Sequence, residues 1–146
     1  MQSNFDFDTE KLAAYLERHV PGFTGPLVAE KFSGGQSNPT FKITTATGQY
    51  VLRRKPPGAL LKSAHAVDRE FKVLAALANT DVPVAAVYHL CEDDEVIGSM
   101  FYLMEFKAGR VFWDPALPDL DNAQRAAIFD EMNRVMVALH SVDIDA

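Results

Sequence analysis

The sequence predicts an α+β fold in which short antiparallel strands alternate with amphipathic helices. Two observations carry the prediction. Between Leu27 and Arg54, two Gly-marked reversals, Ser33-Gly34-Gly35-Gln36-Ser37-Asn38 and Thr47-Gly48, separate three runs rich in β-branched and aromatic residues. That pattern is an antiparallel meander. From Ala64 to Ala78 the apolar spacing changes to every third or fourth residue, the period of a helix.

Length and composition set the frame. At 146 residues, 48% hydrophobic and 23% charged, the chain has the size and balance of one globular domain. A net charge of −6 argues against nonspecific binding to nucleic acid or to an anionic membrane. The consecutive Arg53, Arg54 and Lys55 still leave room for a local basic site. The single Cys91 excludes an internal disulfide and fits a reducing compartment. The N-terminal stretch carries Asp6, Asp8 and Glu10 and lacks the apolar run of a signal peptide, and no window has the length of a membrane span. A soluble, cytoplasmic protein is expected.

In chain order, Asp8 suits an N-cap, with Phe7 and Leu12 placed to close a hydrophobic staple. Leu12, Tyr15, Leu16 and His19 then share one helical face until Pro21-Gly22 ends the helix. His19 reads as a packed or half-exposed residue rather than a ligand, since no second ligand lies near it in sequence. The strands of the meander are expected at Leu27-Val28-Ala29, Thr40 to Thr44 and Gln49 to Arg53. The Gly34-Gly35 tip either makes the turn and no more, or exposes backbone N–H groups to an anion such as a nucleotide phosphate.

Pro56-Pro57-Gly58 breaks the third strand, and Ser63 can cap a helix from Ala64 to Ala78 with an apolar stripe of Val67, Phe71, Leu74, Leu77 and Ala78. Glu70 falls inside that stripe, about 40° from Leu74 and about 20° from Leu77 on a helical wheel. It either reaches out at the stripe's edge or is met by a cation, because an unpaired buried carboxylate is costly.

Val82-Pro83-Val84 opens a strand-like run through Val87 to Cys91. Glu92 to Glu95 is a solvated hairpin tip, and Val96-Ile97 with Met100 to Met104 make an apolar, central return strand. Gly109 then releases the chain into an ordered connector holding Trp113, Pro115 and Pro118. Asp121 with Gln124 forms a capping box for a last helix whose Ile128, Met132, Val135 and Leu139 stripe reads as core.

Three of these stretches together, Phe32 to Phe41, Tyr50 to Gly58 and Ala64 to Phe71, resemble the aminoglycoside phosphotransferase family. Within that family the resemblance is strongest to the kinase-like domains linked to acyl-CoA dehydrogenases, and it runs from about Phe23 to Ala146, including the helix end Leu139-His140-Ser141-Val142-Asp143. It implies a protein-kinase-like N-terminal lobe, a five-stranded antiparallel sheet with one packed helix. Residues 1–22 then form a preceding helical segment, 23–108 the lobe, and 109–146 a connector and the first helix of a C-terminal lobe.

By the same resemblance, Ser33, Gly34, Gly35, Gln36, Ser37 and Asn38 cover the phosphates of ATP or another nucleoside triphosphate. Arg53, in Tyr50-Val51-Leu52-Arg53, stands where kinases carry lysine, and Glu70 pairs with it. Met104 backs the adenine pocket, and the backbone of Glu105, Phe106 and Lys107 is the adenine hinge. An arginine at the lysine position keeps the charge but changes the contact geometry.

Kinase-type transfer also needs a catalytic Asp, an Asn and a metal-binding Asp. The family carries these in a His-Gly-Asp loop and a later Asp, and this sequence has neither. His65 with Asp68 and His140 with Asp143 have the wrong spacing and are decoys. The chain is therefore expected to be a fragment or half-protein, inactive in transfer alone, with Mg²⁺ needed only alongside the missing lobe. The expected partners are a nucleotide and, through that lobe, a small-molecule hydroxyl acceptor such as a hydroxyacyl thioester or similar metabolite, an antibiotic being the less favoured one. Self-association, or association with an acyl-CoA dehydrogenase-type partner, is also expected. The competing expectation is a non-catalytic, kinase-like binding or regulatory module.

Overall fold

The computed structural model describes residues 7–33, 37–56, 58 and 66–145. In chain order these form α1 (Thr9–His19), β1 (Val28–Lys31), β2 (Thr40–Thr44), β3 (Gln49–Arg54), α2 (Val67–Leu77), β4 (Val87–Cys91), β5 (Phe101–Glu105) and α3 (Asn122–His140). The five strands make one antiparallel sheet in the order β1-β2-β3-β5-β4.

Alternation along each strand sends neighbouring side chains to opposite faces. One face carries Phe41, Ile43, Leu52, Phe101 and Leu103, and on it rest Phe7, Leu12, Ala13 and Leu16 of the α1 region. Burying one such side chain contributes about 1.5–3 kcal/mol, so this cluster is the main source of stability. Asp8 caps α1 by accepting from the N–H groups of Glu10 and Lys11 at 2.9 and 3.1 Å. The other face carries Arg53, Tyr102 and Met104, and α2 packs there against β4 and β5.

Register makes the faces meet where the site forms. On β3, Arg53 is paired on one side with Thr40 of β2 and on the other with Tyr102 of β5. The return strand β5 is interior, as its two-sided apolarity implies, with β3 and β4 as its neighbours.

Several expectations need correction. Val96 and Ile97 are not strand. They lie in a turn closed by the Gly98 N–H donating to the Asp94 carbonyl at 2.7 Å, with Gly98 at φ +85°. Both are nevertheless buried in the core, so their apolarity reported burial and not extension. Residues 82–86 are likewise outside the sheet, and Pro83 has no N–H to give to a ladder. Helix α2 begins at Val67 with Ala66 as an N-cap that makes no side-chain bond, while the expected cap Ser63 lies outside the described residues.

The Arg53-Arg54-Lys55 run is not one basic patch. Arg54 points to the α1 face, 2% exposed, with its guanidinium over Phe7 and Phe41 and Nη1 donating to the Ile97 carbonyl at 2.9 Å. Helix α3 has the expected capping box, but it buries no residue. Its Ile128, Met132, Val135 and Leu139 stripe is therefore not core: Met132 and Leu139 are exposed, and Ile128 and Val135 are only half-buried.

Candidate functional site

The α2-facing side of the sheet gathers charge around one carboxylate. Glu70 reaches down from the inner face of α2, and Arg53 stands up from β3 to meet it. Arg53 Nε donates to Glu70 Oε2 at 2.6 Å, and Nη2 donates to Oε1 at 3.3 Å. The Tyr102 hydroxyl donates to Oε2 at 3.1 Å and the Asn38 amide to Oε1 at 3.2 Å. Each carboxylate oxygen thus takes two donors, which fills its ordinary hydrogen-bonding capacity. The third guanidinium nitrogen, Nη1, donates to Thr40 Oγ1 at 3.2 Å, and Thr40 in turn donates to the Asn38 carbonyl at 3.0 Å. The fork binds helix, sheet and the end of the Gly-rich turn into one network.

Protonation states follow the geometry. The Glu70 hydrogen bond pushes the Arg53 guanidinium up, against the opposing effect of burial. Burial first, then the Glu70 charge and bond, push the Tyr102 phenol up, so it stays a hydrogen-bond donor throughout the physiological range.

Beside this network opens a cleft of about 890 Å³ between α2 and the sheet. Ser37 and Asn38 line it from the turn, Arg53, Tyr102 and Met104 from the sheet, and Glu70 with Val73 and Leu74 from α2. Of the residues singled out in the sequence, the structure brings Ser37, Asn38, Arg53, Glu70 and Met104 together here. Gly34, Gly35 and Gln36 lie outside the described residues. Ser33 is exposed and does not line the cleft.

Glu105, Phe106 and Lys107 continue from Met104 without lining the cleft. The Glu105 carboxylate pairs with Lys107 Nζ at 2.7 Å and accepts from the Ala86 N–H at 3.2 Å. Lys107 foremost holds its pKa below the usual carboxylate value. The Glu105 N–H donates to the Ala86 carbonyl at 2.8 Å, and Lys42 Nζ sits 4.7 Å from the centre of the Phe106 ring.

Sequence reasoning missed Tyr102 and Thr40. A signal for Tyr102 was available: two residues before Met104 on the same strand, it must share that residue's face. Of the decoy pairs, His140 closes α3 with Asp143 exposed beyond it, and His65 lies outside the described residues. Among the described residues no group of three or more His, Cys, Asp or Glu side chains is arranged to hold a metal ion.

A family model described as the phosphotransferase enzyme family, APH, matches residues 28–146. The chain belongs to this family. The chain is 49% identical over 136 residues to acyl-CoA dehydrogenase family member 10 of Mus musculus, an alignment covering 90% of this chain and 13% of the relative. It is 42% identical over 144 residues to acyl-CoA dehydrogenase family member 11 of Homo sapiens, covering 96% of this chain and 18% of the relative. A solved crystal structure from Ralstonia eutropha JMP134, described as an aminoglycoside phosphotransferase, superposes with a TM-score of 0.82 at 55% identity, covering 95% of this chain and 40% of that one. The chain thus spans under a fifth of those curated relatives and two fifths of the solved chain. Its three helices and five-stranded sheet are the kinase-like phosphotransferase fold. No helix among the described residues is long and apolar enough to cross a membrane.

Proposed function

We propose that residues 23–108 are the nucleotide-binding lobe of an ATP-dependent phosphotransferase, with 1–22 a helical support and 109–146 the approach to a second lobe. The observation that carries this reading is the Arg53 fork on Glu70. A guanidinium has five N–H bonds. Here one from each nitrogen is engaged, by Glu70 and Thr40, so one on Nη1 and one on Nη2 remain. Held by Glu70, these two are the donors for phosphate oxygens, a bidentate contact that a lysine could not make.

The residues fit a nucleoside triphosphate in chemistry and size. Ser37 and Asn38 add polar groups to the lining, while Met104, Val73 and Leu74 supply apolar walls. The cleft volume lies inside the usual range for small-molecule sites, about 300–1,000 Å³. Glu105, Phe106 and Lys107 would offer backbone groups to the base. ATP supplies the phosphoryl group, and Mg²⁺ neutralises charge on it. Ligands for the metal would come from family carboxylates outside these 146 residues. What this chain does is hold and orient the nucleotide, the larger part of the catalytic problem in phosphoryl transfer.

The acceptor is a small-molecule hydroxyl, for which a hydroxyacyl thioester is the favoured class because the relatives are named as acyl-CoA dehydrogenase family members. With its one cysteine buried and unpaired with another, the chain suits the reducing cytoplasm. Calorimetric titration of the chain with MgATP tests the reading. Saturable binding that Arg53→Ala weakens at least about tenfold, with no phosphoryl transfer by the chain alone, is expected. A correctly folded chain that binds no ATP at millimolar concentration overturns it.

A further inference from the structure

The Glu70–Arg53 pair is partly open to solvent, with the two side chains 35% and 31% exposed. A pair this exposed is weak and mobile when it stands alone, because water competes for both ends. Helix α2, which carries Glu70, is itself lightly anchored: Val67 is its one buried residue among those described. Something must hold the carboxylate still if Arg53 is to present its remaining N–H bonds at a fixed angle.

Tyr102 has the required properties. It is 2% exposed, and it sits on the interior strand β5 directly across the ladder from Arg53. Its ring stands edge-on to Phe71 of α2, with centroids 6.0 Å apart. Its hydroxyl donates to the same Glu70 oxygen, Oε2, that takes the short Arg53 bond. A phenol on a buried ring has few rotamers, so it gives a fixed point where the two long aliphatic stems of Arg53 and Glu70 do not. From the other side, Asn38 fixes Oε1.

We infer that Tyr102 is a positioning residue: its hydroxyl latches Glu70, and through it α2, to the sheet, and so sets the direction in which Arg53 meets a phosphate. The inference rests on the nucleotide reading above. It assigns Tyr102 no contact with the nucleotide. Its effect is confined to phosphate contact, which separates it from a general packing role.

The test compares ATP with adenosine on the wild-type chain and on Tyr102→Phe, which keeps the ring and removes the hydroxyl. Loss of a hydrogen bond to a charged group is expected to weaken ATP binding about five- to tenfold while adenosine affinity changes less than about twofold. Deuterium exchange of α2 amides is expected to rise while that of β5 stays the same. In a Glu70→Gln background, where the acceptor charge is already gone, the added Tyr102→Phe is expected to do much less. Equal weakening of ATP and adenosine, unchanged ATP affinity, or unchanged α2 exchange each overturns the latch while leaving the nucleotide reading intact. A folded wild-type chain that binds neither ligand removes that reading and the inference with it.

Discussion

Arg53 and Arg54 are adjacent, identical in chemistry and opposite in task. Strand alternation sends Arg53 to Glu70 and the cleft, while Arg54 goes to the α1 face, where its guanidinium lies over Phe7 and Phe41 and bonds the Ile97 carbonyl. Arg54 is therefore a structural cation. Arg54→Ala removes two ring contacts, deprives a buried carbonyl of its donor and leaves a cavity in the main core. We expect a loss of about 3 kcal/mol or more in urea unfolding, with little direct effect on nucleotide contact in the protein that remains folded. A loss under about 1 kcal/mol would show that the core closes over the gap. At this scale the sequence marked Glu70 as a carboxylate inside an apolar helical stripe, either reaching out at its edge or met by a cation, and the resemblance supplied Arg53 as the partner. The difference between Arg53 and Arg54 was legible only through the resemblance, because a run of three cations carries no mark of which one turns inward.

At the scale of elements, the best-read parts were those whose local signals agree. The α1 cap, the α3 capping box and the two-stranded turn at Thr47-Gly48 formed where residue chemistry placed them. Elements blurred where burial mimicked periodicity, as at Val96-Ile97. The seam between α1 and β4 was invisible, because its partners lie 74 residues apart: the Tyr15 hydroxyl and His89 Nε2 are 2.9 Å apart. His19 stacks on Tyr15 and its ring centre is 5.2 Å from that of His89. Arg18, Lys11, Asp93 and Glu95 line the adjoining hollow. Desolvation first, then His19, hold the His89 pKa below its ordinary 6.5.

The sign follows directly. The unfolded chain takes up the His89 proton near pH 6.5 and the folded chain only at lower pH, so stability is full above about 6.5 and falls as the pH drops through that value. Thermal melting between pH 7.5 and 5.5 should show this decline, and His89→Gln should flatten it. An equally steep decline in the variant would place the acid sensitivity elsewhere.

Over the whole molecule, apolar surface is distributed unevenly. The sheet and α1 share a closed core, whereas α3 buries no residue and carries Phe129, Met132, Met136, Val137 and Leu139 exposed. The connector before it adds Val111, Phe112 and Trp113, the last 84% exposed. Large apolar groups exposed singly are ordinary, but eight within 29 consecutive positions, from Val111 to Leu139, are not a monomer's usual surface.

Leaving about 400 Å² of such surface in water forfeits about 10 kcal/mol, on the order of a domain's entire stability. A helix that buries no residue must also rest largely on its caps and propensity, whereas most helical stability in proteins comes from packing an amphipathic face. Both considerations lead to one expectation for the isolated chain: it associates through α3 and the connector. Sedimentation should then show oligomers growing with protein concentration, and the melting temperature should rise with concentration, because association stabilises by mass action. Replacing Met132, Met136 and Val137 together with Glu, Lys and Gln should abolish both effects without disturbing the sheet. A wild-type chain that stays a monodisperse monomer at about 100 μM, with a concentration-independent melting point, would mean that α3 is tolerated bare and that the surface is no interface.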